Sequence, residues 1–243
     1  MRRAISSQNH NHPLCNVMHL GVITEWCAAR NLPKAEEATS QVRIQAASAG
    51  GGLELVQVDL TSLASVRACV DASVAVGKPF GLVIANAGIM AGPKRMTIDG
   101  FETQFGTNYL GHFVLINRIA SLLRPGGRVV MVASAGHRRT DVDLDDPNFE
   151  RNPYHEYIAY GRSKTATVLF AVEFDQRHSG DGIRATAVHP GSIMTETIRR
   201  IVEELGDGKD QAIAAYDWKT PSQGAATAIW AGIVAPADEV GGR

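Results

Sequence analysis

Apolar positions along the chain follow two alternating rhythms. Short continuous or every-second apolar runs are separated by longer stretches in which apolar residues recur every three or four positions, the spacings of strand and helix. Residues 21–28 carry a weakly patterned strand. Asn31 stands as the N-cap of a helix with Pro33 in its first turn, and Gly50-Gly51-Gly52 stops that helix after Ala49. Residues 53–60 form the next strand, and Thr61-Ser62 open a helix with Val66, Ala68, Cys69, Val70 and Ala72 as apolar positions. The run 80–85 is apolar throughout, which suits a parallel strand covered on both faces, and it ends in Asn86-Ala87-Gly88. A long helix over 101–123 holds Asn108 and stops at Pro125-Gly126-Gly127. Residues 128–133 form another buried strand, ending in Ser134. The loop over 136–152 carries Asp141, Asp143, Asp145 and Asp146 without the regular spacing of a calcium loop, so it reads as solvated. A helix opened by Tyr160 follows, then a strand over 183–188 that ends in His189-Pro190-Gly191. Strands alternate with helices throughout, so the pattern predicts one α/β domain over 21–243, a doubly wound parallel sheet with helices on both faces.

Composition adds limits rather than detail. The 243 residues supply ample material for one core, and 24 basic residues balance 25 acidic ones, which speaks against a nucleic-acid surface. Cys15, Cys27 and Cys69 make no disulfide framework and no metal spacing, so a reduced, cytoplasmic setting is expected. No apolar run approaches the roughly 18 residues a membrane span needs. Residues 1–20 are polar and without period. They read as a poorly ordered leader or a misplaced gene start in preference to a transit peptide. His10, His12 and Cys15 lack a second ligand pair at zinc-site spacing, and no metal is expected.

The candidate chemistry centres on Tyr160-Gly161-Arg162-Ser163-Lys164. Residues i and i+4 share one helix face, so the phenol of Tyr160 and the ammonium of Lys164 should stand side by side. A neighbouring cation favours the phenolate and lowers a pKa that is otherwise about 10. Such a pair is an acid/base device for a hydroxyl or carbonyl. In doubly wound folds ligands sit beyond the carboxyl ends of the strands. Asp59, Asn86, Ser134 and Pro190-Gly191 all fall there, so residues distant in sequence should converge on one rim.

In this order, Asp59-Leu60, Asn86-Ala87-Gly88, Asn108, Ser134, Tyr160-x-x-Ser163-Lys164 and Pro190-Gly191 resemble the motifs of the short-chain dehydrogenases/reductases, a Rossmann-like family. Arg30-Asn31, the stretch 107–113 and the stretch 160–166 are similar to its retinol dehydrogenase-like branch. The resemblance implies that Tyr160 exchanges a proton with the substrate oxygen and that Lys164 lowers its pKa and binds the nicotinamide ribose. It implies that Ser134 holds the substrate oxygen, and that Asn108 kinks its helix and helps hold Lys164. Asp59, with Leu60 beside it, would meet the adenine. Asn86, Ala87 and Gly88 would let the backbone approach the cofactor, and Pro190, Gly191 and Thr195 would lie along the nicotinamide. Arg30, placed where an acid would grip a ribose 2′-hydroxyl, favours NADP(H) over NAD(H). Family members also commonly dimerise through the helices that hold Asn108 and Tyr160, which implies a homo-oligomer. The expected partner is a small hydrophobic carbonyl or alcohol. Ile193, Met194, Ile198, Ile201, Val202 and Leu205 would line a lid over 192–219, or serve as helix core.

One departure stands out. Family members begin with a strand, a glycine-rich phosphate turn and a helix, whereas the only glycine here before Gly50 is Gly21. The expectation is that this first strand–loop–helix unit is missing and that the neighbours of its strand are left unpaired. Two readings stay open: an NADP(H)-dependent oxidoreductase, or a catalytically dead relative that serves as a binding or scaffold protein.

Overall fold

In the computed structural model, residues 15–18, 24–204 and 206–243 are described. From the amino end the elements are β1 (Cys15–Met18), β2 (Thr24–Ala29), α1 (Leu32–Ser48), β3 (Gly52–Gln57), α2 (Leu63–Val76) and β4 (Phe80–Ala85). A broken helical run follows: α3 (Thr103–Phe105), a π-helical turn over Gly106–Leu110, and α4 (Gly111–Ile119). After it come β5 (Leu123–Val132), α5 (Glu156–His178) and β6 (Arg184–Val188). The segment beyond holds β7 (Ser192–Ile193), α6 (Glu196–Glu204), α7 (Lys209–Ala214) and β8 (Trp218–Lys219). Last are α8 (Pro221–Ile229) and α9 (Ala237–Val240).

Strand side chains alternate between faces, and the alternation sorts the core into layers. Val83 and Ala85 of β4 and Val129 and Met131 of β5 pack with Val66 and Val70 of α2, Leu115 and Ile116 of α4, and Phe170 and Phe174 of α5. Their neighbours Leu82, Ile84, Val130 and Val132 face the other way, onto Ala228 of α8 and Ala231. Under β2, Cys27 and Ala29 turn to Ala35 and Val42 of α1. Helices thus cover both faces, as the apolar runs predict. The helix starts also match: Asn31 accepts from the Lys34 N–H at 3.0 Å, and Ser62 caps α2.

The sheet order is β3-β2-β1-β4-β5-β6. β2 with β3, β4 with β5, and β5 with β6 are parallel. The slot between β2 and β4 is not left unpaired. β1 fills it, running antiparallel to both, with Val17 opposite Trp26 and Val83. Only residues 19–23 separate β1 from β2 in sequence. The expected strand over 21–28 is β2 in the structure, and its Gly21, Val22 and Ile23 lie outside the described residues. So do 1–14, with His10 and His12, and the lid residue Leu205.

Two other boundaries differ from the sequence reading. The helix over 101–123 is interrupted at 106–110 and ends at Leu122, because Phe80 pairs with Leu123 and draws it into β5. Pro125-Gly126-Gly127 therefore bends a strand rather than ending a helix, with Gly126 at φ +80°. Among the described residues no helix is long and apolar enough to cross a membrane.

Candidate active site

α5 is the spine of the site. Its backbone bonds run from Glu156 to His178, and the His155 ring accepts from the Tyr157 N–H at its start. On the buried face lie Ser163 and Lys164, and half-buried Tyr160 stands one turn before. The Lys164 Nζ is 5.8 Å from the centre of the Tyr160 ring. It donates to the backbone oxygen of Val132, the last residue of β5, at 2.7 Å. The helix-face argument from the sequence therefore holds.

The electrostatic expectation needs correction. Lys164 does not bring Tyr160 below its usual pKa here. Burial raises the Tyr160 phenol, and a hydrogen bond with the Ser134 hydroxyl only partly offsets it. Burial also brings Lys164 down to about 8. Both charged forms lose solvation when water is removed, and at this separation desolvation outweighs the attraction.

Asn108 sits in the π-helical turn, 2% exposed. Its Oδ1 accepts from the Ile89 N–H at 2.8 Å, and its Nδ2 donates to the Ile89 oxygen and to the Ser163 Oγ, both at 2.9 Å. Ser163 in turn donates to the Tyr160 oxygen at 2.7 Å. One amide thus ties the loop after β4 to the first turns of α5. The Asn108 backbone oxygen accepts from the Nδ1 of His112, four residues on, at 3.0 Å. His112 is 1% exposed, and burial holds its pKa down to about 4, so the ring is neutral with its proton on Nδ1. The sequence reading gave Ser163 and His112 no role. The same i+3 and i+4 spacing that linked Tyr160 to Lys164 would have linked them to Tyr160 and Asn108.

Ser134 follows β5 and accepts from the Gly136 N–H at 3.2 Å. A Cβ on Gly136 would stand 3.0 Å from carbons of the Tyr160 ring, so glycine lets this loop lie against the phenol. At Gly88 a Cβ would stand 3.1 Å from the Asn108 Oδ1 and 3.6 Å from the Lys164 Nζ. Asn86 and Gly88 are exposed there, and Ala87 is buried between them.

The remaining candidates stand along the same sheet edge. Arg30 is exposed directly after β2. Asp59 lies two residues past β3, where its Oδ1 accepts from the Thr61 N–H and hydroxyl. Leu60 is buried in the core, and a Cβ on Gly111 would stand 2.8 Å from its backbone oxygen. Pro190 and Gly191 follow β6. Gly191 has φ +90°, and the Lys219 side chain occupies the ground that a Cβ there would need. Thr195 is exposed, and its Oγ1 accepts from the Ile198 N–H. Of the lid residues, Ile193 packs on Gly224 of α8 and Val202 is buried, the helix-core alternative of the sequence reading.

Residues 21–206 match the profile of a family described as short chain dehydrogenase. A probable oxidoreductase of Streptomyces lividans is 42% identical over 195 residues, covering 76% of this chain and 64% of that protein. Human retinol dehydrogenase 14 is 36% identical over 228 residues, covering 88% of this chain and 68% of that one. Among solved structures, one described as a putative uncharacterized protein from Mycobacterium paratuberculosis superposes with a TM-score of 0.66. It is 32% identical and the match covers 88% of this chain and 68% of that one. The chain therefore spans slightly less than two thirds of the Streptomyces relative's length.

Proposed function

The chain belongs to the short-chain dehydrogenase family, and on that premise we propose that it is an oxidoreductase interconverting a carbonyl and an alcohol with NADP(H). The observation that carries the proposal is the gathering of four groups at the carboxyl rim: the Tyr160 phenol bonds to Ser134, Lys164 stands 5.8 Å from the Tyr160 ring and bonds to Val132, and Asn108 reaches the Tyr160 backbone oxygen through Ser163.

The nicotinamide riboside half of the cofactor fits this rim. At Gly88 a side chain would crowd Asn108 and Lys164, so glycine lets the backbone lie close to both, and the buried Lys164 ammonium has donors to spare beyond its bond to Val132. Asp59 and Arg30 stand at the β3 and β2 ends, suited to adenine and to a 2′-phosphate. The pyrophosphate has no glycine turn to hold it, and β1 runs the wrong way to present one at this rim. When bound, the nicotinamide supplies or accepts the hydride.

The protein's own part is proton handling and orientation. Ser134 donates to the substrate oxygen and fixes it beside the phenol. Tyr160 gives that oxygen its proton in reduction and takes one in oxidation. Lys164, held by Val132, stabilises the phenolate so formed. Asn108 keeps the loop after β4 and the first turns of α5 in register.

The experiment is an NADPH titration of the chain, followed by nucleotide fluorescence with NADH alongside, and then a carbonyl panel. Saturable binding that favours NADPH, with turnover lost in Tyr160→Phe, is the expected result. A folded chain that binds neither nucleotide would overturn the proposal and leave the scaffold reading.

A further inference from the structure

The network above leaves unused a group of basic side chains on the β5–β6 side of Tyr160. β5 and β6 run parallel with Val132 opposite Val188, so the loops after them leave the sheet side by side. The first carries His137, Arg138 and Arg139, and the second carries His189. β8 brings Lys219 into the same place. It pairs with β7 so that Lys219 lies opposite Ile193, and the Nζ would stand 2.8 Å from a Cβ on Gly191.

His137 and Arg139 adjoin the elements that hold Ser134 and Tyr160. The Nδ1 of His137 donates to the backbone oxygen of Ser134 at 2.6 Å, and Thr165, next after Lys164, donates to the His137 oxygen. Arg139 stacks over the Tyr157 ring, 5.7 Å from its centre, one turn before Tyr160. The nearby acids make no ion pair with His137, Arg138, His189 or Lys219 among the bonds described: Glu156 accepts from the Gly92 N–H, and Asp141 from the Val142 N–H. Asp217 is exposed, two residues before Lys219. The positive field registers on His189, whose pKa falls through burial and through Lys219, Arg138 and His137. Cations held together raise one another's energy, and an anion between them relieves it.

We propose that His137, Arg138, His189 and Lys219 form a subsite for an anionic group, a carboxylate or phosphate, on the carbonyl substrate. The proposal rests on the oxidoreductase reading above and narrows it. The substrate would carry its carbonyl at Ser134 and Tyr160, an apolar body toward the lid, and the anion a few bonds away on the β6 side. Cofactor phosphates offer the same chemistry. However, Arg30 and Asp59, the groups suited to the nucleotide end, stand at the far side of β1 and β4.

The test compares 4-formylbenzoate with its methyl ester. Calorimetric titration into the chain, with and without NADP, reads binding without turnover. Wild type should bind the acid at least about tenfold more tightly than the ester, and added salt should erase the difference. In the double variant Arg138→Gln with Lys219→Gln, the two ligands should bind alike while NADPH affinity is unchanged. Equal binding of acid and ester by wild type, or binding of neither, would overturn the proposal. So would a variant that loses NADPH affinity instead, since the anion held would then be the cofactor's. Acid-selective binding without turnover of either aldehyde would support the subsite and sink the oxidoreductase reading. Equal turnover of both would do the reverse.

Discussion

The two halves of the carboxyl rim are built to different standards. From β4 to β6 the strands are parallel, and the side chains around Tyr160 are anchored by bonds of 2.7–2.9 Å: Asn108 to Ile89 and Ser163, Ser163 to the Tyr160 backbone oxygen, and Lys164 to Val132. From β3 to β1 the sheet holds a reversed strand, and its candidates, Arg30 and Asp59, share no bond with Tyr160 or each other among those described. On the proposed reading, the contrast makes proton handling and phosphate holding separable tasks in this fold. The first needs a pre-built network in a dry site. The second is local to one turn, so on that reading it can change without disturbing the other.

Breaking the comparison starts with Tyr160→Phe. It should cost about a thousandfold in single-turnover reduction and leave nucleotide affinity intact, as stopped-flow NADPH consumption would show. Loss of nucleotide binding as well would join the two halves. The next effect concerns His112. Its pKa in the folded chain is about 4 against an ordinary 6.5, so the unfolded chain takes up the proton first as pH falls. The contribution is complete above about pH 6.5 and is lost as pH drops toward 4, a change of roughly 3 kcal/mol. Urea unfolding across that range should show the slope, and His112→Asn, which keeps a donor to the Asn108 oxygen, should flatten it.

Asn108→Ala leaves the Ile89 N–H and carbonyl and the Ser163 hydroxyl without their partner. A stability loss of about 2 kcal/mol is expected by the same unfolding assay, with a fall in kcat larger than any rise in KM. The smallest effect belongs to the other half: Arg30→Gln should reduce the preference for NADPH over NADH by about tenfold, read from paired fluorescence titrations. A variant with unchanged preference would remove Arg30 from the nucleotide site altogether.

Much of the β4–β6 half was legible in the sequence because its signals are local and periodic. An apolar run fixes β4, and i+4 spacing puts Lys164 beside Tyr160. Strand ends bring Asn86 and Ser134 to one edge. The interruption at Asn108, a π-helical turn, came only through the family resemblance, which implied a kink there, since the apolar period of the helix runs through it unbroken. The direction of the Tyr160 shift was missed for a related reason. Spacing gives the neighbour, while burial, which decides the balance, belongs to the folded whole. β1 was invisible because four residues, Cys15 to Met18, carry no period strong enough to mark a strand or its direction.

That reversed strand also bears on the order in which the molecule assembles. A parallel strand in the central slot reaches its neighbour only through a crossover of a dozen or more residues. β1 reaches β2 across residues 19–23, so its pairing is among the most local in the sheet. Short-range contacts form before distant ones reward the entropy of closing their loops. The β1–β2 pair is therefore expected to zip early and offer β4 a ready edge. The middle of the sheet would then be set by its fastest step, rather than waiting on its longest connection.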